Sequence, residues 1–182
     1  MATSEILAAP PAGAWQADPV HSSVGFEVSY LAGTFRGQFR ELEAELDVAE
    51  DGRARLRGLA RVASVDVKDE NLAAHLQSPD FFDAERHPEL RFTAEDVGLD
   101  GEDVRAEGEI TIKGVTRPVV VTGTMAAPLT DPYGKERLGL ALRATVDRTE
   151  FGISWNMPLP TGKQALSDEV AIVAELYFVR SS

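Results

Sequence analysis

Apolar and polar residues alternate with a period of two over most of the chain, which is typical of β-strands with one buried and one solvated face. In Arg40–Val48, for example, Leu42, Ala44, Leu46 and Val48 alternate with acidic residues. The same alternation marks Val20–Tyr30, Val104–Ile112 and Arg137–Asp147. Weaker strand patterns occupy residues 55–67, 89–97, 118–126 and 169–179. The pattern therefore predicts eight strands.

Short turn sequences separate these segments, among them EDGR at residues 50–53 and TDPYGKE at residues 130–136. Gly, Asp, Asn and Pro favour turns, and short turns join antiparallel neighbours. Eight antiparallel strands with one apolar face each can close into a barrel, which removes exposed sheet edges. We therefore predict an all-β fold, an eight-stranded antiparallel up-and-down barrel similar to that of lipocalins. The interior of such a barrel can hold side chains or one ligand.

A stretch with helix signals interrupts this meander between the third and fourth strands. Asp69 can cap a helix, and Leu72 and Leu76 lie four residues apart on one helical face. Ser78-Pro79 offers a second helix start, with serine as the N-cap and proline in the first helical position. The sequence predicts a short helical lid over about residues 70–83.

Two segments carry more apolar side chains than a solvated loop tolerates. Phe81 and Phe82 are adjacent in the first, and burial of each would contribute roughly 1.5–3 kcal/mol. The second segment, residues 148–168, has no clear periodicity, which is unusual within a compact domain. Its large apolar residues are Phe151, Ile153, Trp155, Met157 and Leu159. We predict that both segments cover an apolar interior, because a solid core would need no such covers.

Composition limits the class of protein. The 182 residues suit one domain, which we place at residues 15–182 after a disordered segment at residues 1–14. A net charge of -12 disfavours nucleic acid as a partner, and no apolar window approaches the roughly 20 residues of a membrane span. We therefore expect no stable membrane insertion. With no cysteine, the chain has neither disulfides nor thiolate chemistry.

Catalytic and metal motifs are weak. Ser154 lacks the glycine pattern of a nucleophile elbow, and Asp18, His21 and Ser22, if extended, do not share one face. The three histidines, His21, His75 and His87, lack the paired spacing of a zinc site. Asp80, Asp83 and Glu85 could in principle hold a cation, but Asp80 and Asp83 are explained more simply as solvating and capping the lid. We predict neither catalytic residues nor a metal.

Four stretches of the chain resemble the YceI-like family of polyisoprenoid-binding, lipocalin-like proteins. The stretches are W-x-x-D-x-x-H-S-x-V-x-F-x-V from Trp15 to Val28, HLQSPDFFDAERHPELRF from His75 to Phe92, GEITIKGVTRPVVV from Gly108 to Val121, and VDRTEFGI from Val146 to Ile153. They occur in order over about residues 15–180. Each is moderately specific alone, and together they are a strong signature.

This resemblance implies an apolar tunnel that binds a long amphiphile, such as an isoprenoid quinone, a polyprenyl phosphate or a fatty-acid derivative. We expect such a lipid to be carried, stored or sequestered, with no other cofactor and no enzymatic activity. A homodimer is a further expectation from the family. Many members are periplasmic, whereas the start of this sequence lacks a secretory signal, so we expect a cytoplasmic location. The alternatives are an enzyme acting on a bound lipid and a stress-related interaction protein with a filled barrel.

We predict thirteen ligand-binding residues in three groups. The wall comprises Phe26, Val28, Tyr30 and Phe92, and the covers contribute Leu72, Leu76, Phe81, Phe82, Phe151 and Trp155. Arg148 is predicted to reach the head group at the mouth of the tunnel. His21 and Asp18 belong to the first motif, where a structural role for the histidine and a head-group contact are both open. The scarcity of basic residues favours a quinone-like or otherwise weakly charged head group.

Overall fold

A computed structural model describes residues 10–181 and shows one antiparallel sheet of twelve strands with a single α-helix in that range. The strands are β1 (Gly13–Ala17), β2 (Ser23–Tyr30), β3 (Gly33–Phe39), β4 (Leu42–Val48), β5 (Ala54–Arg61), β6 (Val65–Asp66), β7 (Glu89–Ala94), β8 (Val97–Asp100), β9 (Asp103–Ile112), β10 (Val115–Thr130), β11 (Glu136–Asp147) and β12 (Leu166–Arg180). The helix α1 spans Glu70–Gln77, and 3-10 turns occupy Val62–Ser64 and Arg148–Phe151.

Eight of these strands form a closed ring in the order β1, β4, β5, β7, β9, β10, β11, β12. The ring closes because β1 pairs with β4 on one side and with β12 on the other. Trp15 lies opposite Leu46 in one pair and Arg180 in the other, and its side chain is fully buried. From β4 to β12 the ring strands follow chain order, as in a meander. The predicted all-β, eight-stranded antiparallel barrel is confirmed.

The strand list differs from the prediction in four places, one of which is β3, a strand that the pattern did not indicate. The hairpin β2–β3 lies outside the ring and extends from β12, so β1, which the pattern did not indicate, takes the place of the first predicted strand. Predicted strand 55–67 divides into β5 and β6, and predicted strand 89–97 divides into β7 and β8. In both divided strands, a few residues between the two parts leave the extended conformation. The sequence pattern does not show these short interruptions.

The two ends of the first predicted strand also need correction. Val20 is 83% exposed and lies in a turn, because the Asp18 carboxylate accepts a hydrogen bond from the Val20 amide at 2.9 Å. The strand therefore begins at Ser23. Residues 1–14 were predicted to be disordered, and the first nine of them lie outside the described residues. Gly13 and Ala14 already belong to β1, so that boundary was placed too late.

The predicted N-terminus of the helix is confirmed, but its predicted end is wrong. Asp69 Oδ1 accepts hydrogen bonds from the amides of Asn71 and Leu72, at 2.8 and 3.0 Å. The helix ends at Gln77 because Ser78, instead of capping a second helix, donates its hydroxyl to the His75 carbonyl at 2.6 Å. The following residues, including Phe81 and Phe82, form turns.

One end of the barrel is solid and the other is hollow. At the β1 end, Trp15, Leu46 and Phe178 are at most 1% exposed and belong to one hydrophobic cluster. On the same strands, Leu42 of β4 and Ile172 of β12 lie further along and border a cavity. β2 pairs with β12 at this hollow end, and the β2–β3 hairpin extends the wall there.

We predict that Gly123→Ala destabilises the barrel at the β10–β11 pair. A Cβ atom at Gly123 would lie 1.8 Å from the carbonyl oxygen of Ala141, so the two strands would have to separate. The expected loss in the free energy of unfolding is about 1–3 kcal/mol, measured by urea denaturation. Gly139→Ala on β11 is the matched control, because its nearest contact is 3.5 Å away. Equal losses in the two variants would contradict the prediction.

Candidate ligand-binding site

The hollow end contains a cavity of about 350 Å³. This volume lies within the range of roughly 300–1,000 Å³ that is usual for ligand pockets. Inward-facing side chains of the barrel strands form its wall, and examples are Ala44, Phe92, Ile110, Leu142 and Ala144. Because these groups are hydrocarbon, the wall favours an apolar ligand by removing its surface from water.

Eleven of the thirteen predicted site residues border this cavity. They are Phe26, Val28, Tyr30, Leu72, Leu76, Phe81, Phe82, Phe92, Arg148, Phe151 and Trp155. The other two, His21 and Asp18, do not border it. For the residues that border the cavity, a role in binding a ligand stays a prediction.

The first covering segment, residues 70–87, inserts aromatic rings into the hollow end. The Phe82 ring packs edge-on against Phe26 and Phe39, with centroid distances of 5.9 and 5.6 Å. Leu76 and Phe81 are buried, at 4% and 9% exposure. These contacts place the first cover directly over the cavity.

The second covering segment, residues 148–165, covers the same end of the barrel and comes from a distant part of the sequence. Phe151 and Ile153 are buried and border the cavity, whereas Met157 is exposed. The 3-10 turn that begins the segment is capped by Asp147, whose carboxylate accepts the Thr149 amide at 2.9 Å. Only the first half of this segment therefore covers the interior.

The two covers contact each other above the cavity. Trp155 of the second cover lies 4.9 Å from the His75 ring and 5.3 Å from the Phe81 ring of the first, measured between centroids. Lys113, in the turn between β9 and β10, donates to the carbonyls of Pro79 and Gly152, one from each cover. The covers thus form one joined structure.

Arg148, predicted to reach the head group, borders the cavity, but its Nε and Nη1 donate to backbone carbonyls, and its Nη2 lies 3.7 Å from Asp168 Oδ1. Its side chain is 6% exposed, and its guanidinium donates to the carbonyls of Ser167, Ile153 and Trp155 at 2.8, 2.8 and 2.9 Å. Burial lowers the pKa of Arg148, while the nearby Asp168 carboxylate opposes that change. Ile153 and Trp155 belong to the second cover and Ser167 to β12, so Arg148 links the second cover to the end of the barrel.

His21 and Asp18 lie in the turn between β1 and β2, away from the cavity. The prediction assumed an extended strand that separates them, but the turn brings His21 Nδ1 within 2.7 Å of Asp18 Oδ2. This hydrogen bond from His21 lowers the pKa of Asp18. Arg137 approaches the same carboxylate at 3.5 Å. The structure therefore favours a structural role for His21.

His75 is the site residue that sequence reasoning missed. It borders the cavity, and its Nε2 lies 3.0 Å from the Asp80 carboxylate. Within residues 10–181, no group of three or more potential metal ligands occurs. The position of His75 beside Leu76 and three residues after Leu72 could have placed it near the apolar face of the helix.

A closed barrel with an apolar cavity beneath two covering segments is the architecture of a lipocalin-like binding protein. Residues 15–178 match the YceI-like domain, so the chain belongs to the YceI-like family. Protein YceI of Escherichia coli is 26% identical over 140 residues, covering 75% of this chain and 73% of the relative. A UPF0312 protein of Photorhabdus laumondii is 28% identical over 134 residues, covering 72% and 70%.

Solved structures share the fold. BcnA of Burkholderia cenocepacia has a TM-score of 0.75 at 21% identity, over 88% of this chain and 98% of BcnA. A polyisoprenoid-binding domain from Saccharophagus degradans has a TM-score of 0.69 at 12% identity, over 91% and 98%. Within the part of this chain that the structure describes, no helix is both long and apolar enough to cross a bilayer.

We predict that Arg148→Met destabilises the protein by about 3 kcal/mol, because the substitution leaves partly buried carbonyls without a charged donor. Urea denaturation measures the loss, and limited proteolysis tests whether residues 148–165 loosen. Arg143→Met is the control, since Arg143 forms an exposed ion pair with Glu27 at 3.1 Å and is expected to contribute about 0–1 kcal/mol. If the control lost as much stability, the role given to Arg148 would be wrong.

Proposed function

We propose that this protein binds a long-chain amphiphilic lipid, a polyisoprenoid, an isoprenoid quinone or a fatty-acid derivative, for carriage, storage or sequestration. The observation that carries the proposal is the apolar cavity of about 350 Å³ at the hollow end of the barrel. The Saccharophagus degradans domain described as polyisoprenoid-binding shares this fold and supports the ligand class. A homodimer and a cytoplasmic location stay predictions.

Hydrocarbon burial provides the affinity. Each buried CH₂ contributes about 0.8 kcal/mol, so ten buried carbons contribute roughly 8 kcal/mol before costs. Association and ordering oppose this by several kcal/mol. Micromolar binding needs about -8 kcal/mol net, which requires a longer chain than ten carbons. Because burial does not distinguish double bonds, we expect weak selectivity for the tail and stronger selectivity for the head group.

Binding without chemistry is favoured over an enzyme acting on the lipid. The family is one of binding proteins, as the polyisoprenoid-binding relative illustrates. The three arginines that border the cavity are already engaged, Arg91 with Glu89, Arg143 with Glu27, and Arg148 with backbone carbonyls. The cavity also argues against the filled barrel of a purely interacting protein.

The cavity itself is tested by filling it. Ala144 of β11 is buried and borders the cavity, whereas Ala141 on the same strand is exposed. We expect Ala144→Phe to weaken binding of a long-chain alcohol by about tenfold or more, because the ring occupies the volume of several methylene groups. Ala141→Phe should leave binding unchanged. Calorimetric titration of delipidated protein provides the measurement, with thermal unfolding as the check on folding.

Unchanged binding in folded Ala144→Phe would show that the lipid is not held in this cavity. Identification of the natural ligand is a separate experiment. Native mass spectrometry of protein purified without detergent should show a bound species, which lipid extraction would then identify. Recovery of protein without any lipid, together with no binding of added long-chain lipids, would contradict the proposed function.

A further inference from the structure

We propose that His75, oriented by Asp80, recognises the head group of the ligand by accepting a hydrogen bond from a hydroxyl group. This inference rests on the lipid-binding function proposed above and names the head-group class. That class is a neutral hydroxyl, as in a long-chain alcohol, a phenol or a quinol, rather than a phosphate.

The His75 ring connects the cavity with the protein surface. Its side chain borders the cavity, while its Nε2 is 3.0 Å from Oδ2 of Asp80, whose side chain is 55% exposed. His75 is therefore at the boundary where a lipid would have its tail in hydrocarbon and its head near water. This is the position expected of a head-group contact in a cavity lined mainly by apolar groups.

The Asp80 carboxylate determines which ring nitrogen carries the proton. An ionised carboxylate only accepts hydrogen bonds, so Nε2 of His75 donates to it. In the neutral ring, Nδ1 then keeps its lone pair and can only accept. Within residues 10–181, the hydrogen bonds of the His75 ring comprise this one contact at Nε2. A ligand that satisfies Nδ1 must supply a donor.

Two aromatic rings fix the orientation of the imidazole. Phe81 and Trp155 each stand almost perpendicular to the His75 ring, at 84° and 89°, with centroid distances of 4.9 Å. Because two rings pack against the imidazole, its hydrogen bond to a ligand would require little further ordering. Phe81 belongs to the first cover and Trp155 to the second. A head group that binds His75 would therefore lie where the two covers contact each other.

Anionic head groups are disfavoured by the same surroundings. Arg91 and Arg143 form ion pairs with Glu89 and Glu27, and Arg148 donates to backbone carbonyls. Asp80 adds a carboxylate beside His75. A phosphate at this position would approach that carboxylate, and the repulsion between the two anions would oppose its binding.

The test compares two ligands that differ only in the donor. Farnesol and farnesyl methyl ether share a tail and an oxygen acceptor, but only farnesol can donate a hydrogen bond. We expect the wild-type protein to bind farnesol about three- to tenfold more tightly than the ether. His75→Phe should bind both equally, with affinity for the ether retained.

Two further variants separate recognition from packing. Asp80→Ala should reduce the preference for farnesol, because Nδ1 is then free to carry the ring proton. Asp80 is exposed, so we expect this substitution to leave the fold intact. His21→Phe removes the other histidine–aspartate pair, which lies away from the cavity, and should leave the preference intact. Thermal unfolding of each variant checks that the barrel is folded.

The outcomes distinguish this inference from the proposed function. If the wild-type protein binds farnesol and the ether equally, His75 is not a hydroxyl acceptor, while lipid binding stands. If His75→Phe weakens both ligands alike, the ring acts through packing and the inference is overturned. If farnesol, the ether and the hydrocarbon farnesene all fail to bind, the proposed function fails together with the inference.

Discussion

The barrel depends on the pairing of one short strand, β1, with two others at once. Strands β4 and β12 are far apart in the chain, and β1 joins them through Trp15, which lies opposite Leu46 and Arg180. Without this strand, β4 and the C-terminal end of β12 would be edges of an open sheet, with unpaired backbone groups available to other chains. The full burial of Trp15 adds a large apolar contact at the same junction.

Closure at one end leaves the other end to be covered. Around Trp15 and Phe178 the interior is packed solid, whereas at the hollow end the β2–β3 hairpin extends the wall beyond the ring. The apolar cavity there could not face water without cost. The two covering segments resolve this by packing on each other through Trp155 and His75 and by sharing the Lys113 ammonium.

Much of the site could be predicted because it follows local rules. Phe26 and Val28 alternate on β2, and Phe81 and Phe151 lie in segments whose apolar content was unexplained by a loop. The functions of polar residues were harder to predict. Arg148 was expected at a head group, but its donors are used by backbone carbonyls, and no local pattern shows which groups a buried guanidinium will meet.

The sequence by itself determined the strands of the meander, the faces they bury, the Asp69 helix cap and the family. These features depend on neighbouring residues, since strand periodicity and capping act over a few positions. Only the tertiary structure decided that β1 closes the ring, that one end is solid, and that His75 packs against both Phe81 and Trp155. The physical reason is that these contacts join residues distant in the chain. Their geometry is set by strand register and barrel closure, which no local pattern specifies.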